Sequence, residues 1–585
     1  MRRRVSEQSK EFNLLDEPWI RVMLPDCTVQ EVSLKTVFSQ AHRFRGLAGE
    51  LVSQDAAMLR LLLAILYRVF SQVDVNGEEG EWEDDGEAVD RWAELWSLGQ
   101  FPEEPIAVYL EKYRDRFWLF HPVWPFYQVL EAARGTEYGA SKLNGELSES
   151  SNKLRLFPSR TGEYRSSVTY AEAARWLLYV NGYDDTSAKP KTKGLPSPGA
   201  GWLGRLGLIM ADGDNLFETL MLNLTFLQDG DKTWKREDLP IWELPYVRSE
   251  ERQEIRVPDN PAALFTLQSR RLLLKREGDR VTGYSLLGGD FFAGDNAFAE
   301  QMTVWKGIEE KGKKEADRKM LYRPKRHDSS RQMWRDFASF VDSSDIKNSS
   351  QKRIPGVVSW VRFLQTYEIM DKERLVRFRI SSVQYGDKDF FVTDEFSDSL
   401  TFYAGLLTEK GKAWRTLALE MVSLCDDLAF YIGLLAQNLL RAQAGRENSE
   451  KAGKREIAAG NRAREQLFYR FDTPFRQWLR SLNPEMDGVI CDIKREEWQE
   501  EAWQIATELG YEMVAQAGPA AIVGRMAVEK VGGEEKKVHC SAPEAFRIFQ
   551  HMVKKRTGRT GNGGNSKIRA AGHEGNRGEN TDNAG

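Results

Sequence analysis

The sequence predicts an α+β protein, in which an N-terminal mixed α/β domain is followed by a C-terminal helical (four-helix) bundle. Short strand-like runs separated by turn residues prevail up to residue 396, and apolar residues recur at helical spacing from residue 397 onward. A chain of 585 residues also exceeds what one ordinary hydrophobic core organises. We therefore predict a flexible N-terminus at 1–11, a mixed domain at 12–396, a helical bundle at 397–556 and a disordered tail at 557–585.

The charge composition is nearly balanced. The chain has 83 Lys and Arg against 88 Asp and Glu, for a formal net charge of −5. Proteins that coat nucleic acid carry a global basic field, which this chain lacks. Any nucleic-acid site must therefore be a local basic patch.

No segment is typical of export or of a membrane span. Met1–Lys10 is basic and polar and has no apolar signal-peptide core behind it. The longest apolar stretch, Met58–Phe70, contains two arginines and is shorter than the ~20 residues that a span requires. The four cysteines are scattered without short spacings, which fits reduced thiols. We predict a cytoplasmic protein without a membrane segment or a structural metal.

The first elements are short strands and one helix. Pro18 suits the first position of a strand that contains Trp19, Ile20 and Val22, because that position needs no ladder N–H. Asp55–Phe70 has the periodicity of an amphipathic helix. The acidic stretch 78–90 follows, and we interpret it as a solvated loop or helix face.

The middle of the mixed domain is predicted to contain a loop, strands and a hairpin. Residues 186–207 combine many glycines and prolines with basic residues, which favours a flexible basic loop. Ala263–Leu267 and Arg271–Leu274 are strand-like, with a turn at Gly288–Asp290. Residues 306–326 are locally basic, and Gly386-Asp387 favours the tip of a hairpin.

Long helices are predicted after residue 397. Trp414, Leu417, Met421 and Leu424 begin a stripe at three- and four-residue steps. Similar stripes occupy 456–482, 496–517 and 543–555, the last with Ser541 as a plausible N-cap. Such helices bury their stripes against one another, which predicts the bundle.

Catalytic motifs are missing from the sequence. The six histidines show no metal-ligand spacing, and the chain has neither a GxxxxGK[ST] nor a GxSxG motif. His121 lies among aromatic residues and is interpreted as a core histidine. We predict a protein that is not an enzyme and has no cofactor, with a hydrolase or nuclease site assembled in space as an open alternative.

Several segments resemble a known family. The opening "FNLLDEPWIRV" at residues 12–22 resembles the start of the CasA family, the large subunit of the type I-E CRISPR surveillance complex Cascade. The aromatic segment at 117–128, the segment 170–178, the glycine-rich loop at 194–207 and "TLMLNL" at 219–224 follow in the family's order. The resemblance covers about residues 12 to 555.

The resemblance implies recognition without chemistry. Such a subunit contacts the CRISPR guide RNA and inspects target double-stranded DNA for the PAM, the short motif that flanks a target. It would then help to start strand separation and recruit a helicase-nuclease effector, together with the other Cascade subunits. A scaffold subunit without sequence-dependent DNA contact is the alternative. Some relatives hold zinc through paired cysteines, from which this chain departs.

Four segments are implied as contact sites. Phe157 and Arg160 match a loop that reaches the RNA-bound body of the complex, with ordinary packing as the other reading of Phe157. Gly199, Ala200 and Gly201 match the PAM-sensing glycine loop.

The other two segments leave a choice of residue. For the family's minor-groove lysine, Gln301 is the aligned residue and Lys306 the nearest residue of the right charge. Asp387, Lys388 and Asp389 fall at the tip of the wedge hairpin. Because Asp389 would repel a phosphate, either Lys388 takes the tip role or the wedge acts by shape. In the bundle, basic residues are implied to track the displaced strand: Arg441, Arg446, Lys451, Lys454 and Arg455.

Overall fold

The computed structural model describes residues 10–82, 84–149, 153–187, 189–245, 252–309, 320–341, 353–444, 450–531 and 534–559. The predictions of a flexible N-terminus and a disordered tail therefore fall almost entirely outside the described residues, as do residues 310–319 of the basic run at 306–326.

Short strands and helices form the first part of the chain. They are β1 (Glu11–Asn13), β2 (Ile20–Met23), β3 (Val29–Val32), α1 (Leu34–Ser39), β4 (Gly46–Leu47), α2 (Val52–Phe70), α3 (Asp85–Leu98), α4 (Glu103–Lys112), β5 (Trp118–Phe120), β6 (Thr136–Gly139) and α5 (Ala140–Leu143). The acidic residues on both sides of position 83 are exposed in a loop and on α3, as predicted.

The second part continues the mixed architecture. It contains α6 (Glu163–Ser166), α7 (Tyr170–Tyr183), β7 (Leu208–Asp212), α8 (Leu216–Asn223), β8 (Leu227–Gln228), β9 (Lys232–Thr233), α9 (Pro261–Phe265), β10 (Arg270–Glu277), β11 (Arg280–Gly288), β12 (Trp305–Glu309) and β13 (Met320–Pro324).

The third part changes from strands to long helices. Its elements are α10 (Gly356–Thr366), β14 (Leu375–Tyr385), β15 (Val392–Tyr403), α11 (Lys412–Ala444), α12 (Glu450–Arg480), α13 (Gly488–Gln516), α14 (Gly518–Val523), β16 (Arg525–Val531), β17 (Glu534–Cys540) and α15 (Ala542–Arg556). The α+β class with a C-terminal helical region is confirmed. β15 crosses residue 397, and the hairpin of β16 and β17 has no counterpart in the predicted helical stripes.

All strand pairs between these elements are antiparallel. The three-stranded sheets have the orders β3-β2-β4, β10-β11-β6 and β15-β14-β7, and the remaining strands pair as β1-β5, β8-β9, β12-β13 and β16-β17. The longest pair, β14 with β15, extends from Leu375 opposite Tyr403 to Tyr385 opposite Val392, and its register shifts between Gln384 and Tyr385.

Two local predictions for the middle of the chain were wrong. Ala263–Leu267 is not a strand: Asn260 caps helix α9 by accepting a hydrogen bond from the Ala263 N–H, and Pro261 stands in the first turn. The chain reverses at Gly278, with φ +62, between β10 and β11. Gly288 instead ends β11.

Helix α2 is buried on every side, in contrast to the predicted amphipathic helix. All its residues from Ser53 to Phe70 are buried. Its charges are neutralised inside: Arg60 donates to both oxygens of Glu300 at 2.8 and 2.9 Å, and Arg68 donates to Glu243 at 2.7 and 2.6 Å. Bidentate pairing allows a guanidinium to stay in a core, so the two arginines did not mark an exposed face.

Backbone contacts divide the chain into two units, Met1–Ser423 with Asp472–Trp498, and Leu424–Phe471 with Gln499–Gly585. Inside the first unit, Trp334 stacks on Phe475 with ring centroids 4.4 Å apart. Inside the second unit, Arg470 pairs with Glu512 at 2.6 Å. Ser541 stands at the N-cap position of α15, as predicted, and its hydroxyl makes no capping hydrogen bond.

Candidate nucleic-acid interface

The predicted wedge is a rigid turn between β14 and β15. Residues 386–391 join the strands, and both Lys388 and Asp389 have positive φ, +55° and +57°. The Gly386 N–H donates to the Phe391 carbonyl at 2.8 Å, which closes the turn. β15 begins only at Val392, so Asp389 belongs to the turn rather than to the following strand.

Asp389 is held by an arginine behind the turn. Arg326 donates to both carboxylate oxygens of Asp389, at 2.7 and 3.0 Å, and also to the Gly204 carbonyl at 2.6 Å. The guanidinium lies 4.8 Å from the centroid of the Tyr385 ring. The Asp389 charge is therefore compensated, whereas Asp387 and Lys388 are exposed at the tip.

The glycine-rich loop is attached to this hairpin. Thr186 donates its N–H to the Asp389 carbonyl and its hydroxyl to the Lys388 carbonyl, both at 2.9 Å. The Tyr385 hydroxyl donates to the Tyr183 carbonyl at the end of α7, at 2.6 Å. These bonds connect both ends of the tip to the start of the loop.

The matched glycines have packing roles in the loop. A Cβ at Gly201 would collide with the Gly182 carbonyl oxygen, and one at Gly199 would lie 2.8 Å from Arg205. Ala200 is buried. The Gly201 N–H donates to the Asp184 carbonyl at 2.9 Å. The solvent-exposed part of the loop is thus the neighbouring segment with Lys191, Lys193 and Gly194.

Lys189 is the basic loop residue that the structure removes from the surface. Its ammonium lies 2.7 Å from Asp184, and both side chains are buried. Burial lowers the pKa of Lys189 to about 8, against the opposing effect of Asp184. Although its own burial opposes the shift, Lys189 and Arg270 lower the pKa of Asp184 to about 2. Lys189 is therefore part of the support of the loop.

Two of the three guanidinium groups behind the loop, those of Arg252 and Arg270, were missed by sequence reasoning. Arg205, Arg252 and Arg270 line one small pocket with Gly199 and Ala200. Arg270 pairs with Asp184 at 2.5 Å and donates to the Gly199 carbonyl at 2.6 Å. Burial and the charge of Arg270 lower the pKa of both Arg205 and Arg252. Arg252 and Arg270 follow the end of the loop by more than forty positions, so no local pattern indicates them.

Between the two minor-groove candidates, only Lys306 is accessible. Gln301 is 1% exposed, accepts from the Asp229 N–H at 2.9 Å and donates to the Phe298 carbonyl at 2.8 Å. Lys306 is exposed on β12. The Val304 N–H donates to the Gly207 carbonyl at 3.0 Å, so this segment also adjoins the glycine-rich loop.

Phe157 and Arg160 have opposite environments. Phe157 is 93% exposed, which excludes packing in this chain's own core. Arg160 bridges Glu146 at 2.7 Å and Glu172 at 2.6 Å. Because Glu172 closes the capping box of α7 with Thr169, Arg160 supports the N-terminus of that helix. The side chain available for a partner is therefore Phe157.

The loop that carries Phe157 begins beside the hairpin. The Lys153 ammonium lies 2.6 Å from the centroid of the Phe391 ring. Burial and the neighbouring Arg155 and Lys142 lower the pKa of Lys153 to about 8. The glycine-rich loop and Lys153 thus contact the hairpin turn, and the Lys306 segment adjoins the glycine-rich loop, although these segments are far apart in the sequence.

The described residues contain no group of three or more His, Cys, Asp or Glu side chains that could hold a metal ion. His121 is buried, its Nδ1 accepts from the N–H groups of Val123 and Trp124 at 3.0 and 2.7 Å, and burial lowers its pKa. Among the residues that the structure describes, no helix has the length and hydropathy needed to cross a bilayer.

Comparisons with known proteins identify the family. The family model "CRISPR-associated protein Cse1" matches residues 13–509. A curated relative, CRISPR-associated protein CasA/Cse1 of Thermus thermophilus, is 34% identical over 280 residues, which are 47% of this chain and 51% of the relative. The matched region thus spans about half the length of that relative.

Solved structures share the fold. Thermobifida fusca Cse1 has a TM-score of 0.77 and 29% identity, over 94% of this chain and 99% of that one. A chain of a structure titled "CRISPR RNA-guided surveillance complex" has a TM-score of 0.63 and 15% identity, over 93% of this chain and 100% of that one, and shows the likeness of fold alone. The fold and these matches define a CRISPR-associated protein. Because the family model covers most of its length, the chain belongs to the Cse1 family, which is also named CasA.

Proposed function

We propose that this chain is the large subunit of a type I-E CRISPR RNA-guided surveillance complex and recognises the PAM in target double-stranded DNA. The observation that carries the proposal is that the glycine-rich loop contacts both the turn that exposes Lys388 and the segment that carries Lys306. Minor-groove contacts distinguish few base pairs, so such a surface accepts several PAM sequences.

The hairpin then acts as a wedge that helps to start strand separation. A wedge requires bulky side chains on a turn whose conformation is fixed. Arg326 and Thr186 hold the turn from behind, and Phe390 is 47% exposed beside it. Lys388 is the basic side chain at the tip, so it is our candidate for contact with a phosphate.

In this proposal the remaining contacts belong to the assembly. Phe157 anchors the chain on the guide RNA or another Cascade subunit, and guide pairing reads the target. The subunit is not an enzyme, acts in the cytoplasm and recruits a helicase-nuclease effector. In the bundle Arg441 is paired with Glu456 at 2.8 Å. Lys451, Lys454 and Arg455 stay candidates near the displaced strand. Arg446 lies outside the described residues.

The test is a gel-shift measurement of a target duplex with the guide-RNA complex, with and without this chain, at fixed salt. We expect tight binding only with the chain and an intact PAM, and weaker binding with Lys388→Ala. Lys372→Ala is the matched control, because Lys372 is an exposed lysine in the same unit. Equal binding to intact and scrambled PAM duplexes would contradict PAM recognition and favour the scaffold function.

A further inference from the structure

A cavity of about 300 Å³ opens on the strand part of β14, apart from the hairpin turn. Its lining contains three guanidinium groups, those of Arg45, Arg377 and Arg379. Arg377 and Arg379 project from the same face of the strand, because they are two residues apart. The volume is at the lower end of the range for small-molecule sites, which is roughly 300–1,000 Å³.

The cavity has an excess of positive charge. Asp212 is the one carboxylate among its described lining residues, and it accepts from Arg377 at 3.3 Å and from Arg379 at 3.1 Å. Arg45 donates to the Cys27 sulfur at 3.1 Å. Three guanidinium groups against one carboxylate leave two positive charges uncompensated within the lining.

Part of the cavity lining is apolar. It is formed by Met23, Leu47, Leu59 and Leu216, of which Leu59 and Leu216 are buried. An inorganic anion would leave these side chains without a partner. The hydroxyl groups of a bare sugar phosphate would lose their hydrogen bonds against them, at a cost in free energy. A planar base suits the surface better.

We propose that this cavity binds a nucleotide through its phosphate monoester, with the phosphate on Arg45, Arg377 and Arg379 and the base against the leucines. A phosphate monoester carries about −1.5 to −2 charges at pH 7, which matches the uncompensated charge better than a single carboxylate does. Guanidinium groups bind phosphate oxygens in pairs. The nucleotide is either a free mononucleotide or the 5′-phosphorylated end of a strand.

A neighbouring cavity has no comparable excess of positive charge. It shares Asp212 and Arg377 with the first cavity and adds the carboxylates of Asp214, Asp371 and Glu373 and the guanidinium groups of Arg374 and Arg480. Its four carboxylates outnumber its three guanidinium groups, which disfavours a second anion there. The phosphate is therefore assigned to the first cavity.

The experiment is calorimetric titration of the full chain with 5′-AMP, compared with adenosine, ribose 5-phosphate and inorganic phosphate. We expect saturable binding of 5′-AMP and at least about tenfold weaker binding of the other three, since each lacks one of the two recognised parts. Equal affinities for 5′-AMP and inorganic phosphate, or no saturable binding of 5′-AMP, would overturn the proposal.

Two variants locate the site. Arg45→Gln removes one positive charge without breaking an ion pair in the described contacts, and should weaken 5′-AMP binding about tenfold at unchanged melting temperature. Gly46→Leu places a side chain where a Cβ at Gly46 would meet no atom within 4 Å, and should block the cavity without changing charge. Arg547→Gln, at an arginine whose side chain is 71% exposed in the other unit, is the control. Parent-like binding by both cavity variants contradicts the assignment.

The source of the phosphate is tested with short oligonucleotides that carry a 5′-phosphate or a 5′-hydroxyl. A preference for the phosphorylated strand that Gly46→Leu abolishes identifies a strand end as the ligand. Binding of 5′-AMP without such a preference identifies a free mononucleotide.

Discussion

At the scale of single residues, Asp389 shows how a tertiary contact changes the meaning of a side chain. In the sequence it is a carboxylate at the tip of a wedge that should approach phosphates. In the structure Arg326 neutralises it with two hydrogen bonds and fixes the turn at the same time. The pair is therefore a support for Lys388 rather than a contact of its own.

Arg326→Gln should weaken PAM-dependent DNA binding about tenfold, because it exposes the Asp389 charge and loosens the turn. The double variant Arg326→Gln, Asp389→Asn should recover part of the loss, since it removes the uncompensated charge. Gel-shift titrations of the parent, Arg326→Gln, Asp389→Asn and the double variant give the coupling free energy of the pair. Additive effects of the two changes would contradict the role of the pair.

Substitutions of Phe157 and Arg160 should have different effects: one should weaken assembly, and the other should lower the stability of the fold. Phe157→Ala removes an exposed ring, so the melting temperature should not change, while assembly onto the guide-RNA complex weakens by about 1–3 kcal/mol. Arg160→Ala leaves Glu146 and Glu172 without their arginine and should lower the unfolding free energy by about 1 kcal/mol. Thermal melts and pull-down with the guide-RNA complex measure both. Tyr367→Ala, at another exposed aromatic residue, is the control.

The stability of the fold should depend on pH through the buried carboxyl group of Asp55. Burial raises its pKa from 3.8 to about 7, although the Gly49 N–H donates to its carboxylate at 2.7 Å. A folded-state pKa above the unfolded value gives stability that is present below pH ~4 and is lost as pH rises toward ~7. Asp55→Asn avoids the buried charge and should therefore stabilise the protein at pH 8, by on the order of 1–3 kcal/mol, and little at pH 5. Melting curves at both pH values test this, and a difference that does not grow with pH would refute it.

At the scale of elements, the glycine-rich loop and the hairpin behave as one structure. The loop begins at the end of α7, donates two hydrogen bonds from Thr186 to the hairpin turn and returns along Gly204 and Gly207. Glycine is required at Gly201 because the chain passes the carbonyl of Gly182 too closely for a Cβ. The conformation of the loop thus depends on packing with α7.

Gly201→Ala should reduce the unfolding free energy by about 1–3 kcal/mol, the usual effect of an added methyl group without space. Gly488→Ala is the matched control, since a Cβ there meets no atom within 4 Å. Chemical denaturation of the two variants gives the comparison. If Gly201→Ala were as stable as the control, the close approach would not constrain the loop.

At the scale of the whole molecule, nearly balanced charge and DNA binding are compatible because the basic residues are distributed unequally. Lys189 and Arg270 form buried ion pairs with Asp184, whereas Lys191, Lys193, Lys306 and Lys388 are exposed. Only these exposed lysines can contact phosphates and release counterions from DNA.

The exposed lysines of the loop should therefore set part of the salt dependence. For Lys191→Gln with Lys193→Gln, the slope of log affinity against log salt should become shallower by about 2, one for each phosphate contact. Gel-shift titrations of the guide-RNA complex across a salt series measure the slope, with Lys372→Gln as the control. An unchanged slope would show that the loop does not contact the DNA backbone.

The sequence by itself determined the α+β class, the helical C-terminal region, the hairpin position and the family, because periodicity, turn residues and motif order are local properties. It could not decide that α2 is buried on all sides, since the partners of Arg60 and Arg68 lie far along the chain. It also could not show that Gln301 is buried while Lys306 is exposed, or that Arg326 pairs with Asp389. Only the tertiary structure decided these points, because accessibility and charge compensation depend on which distant residues come together.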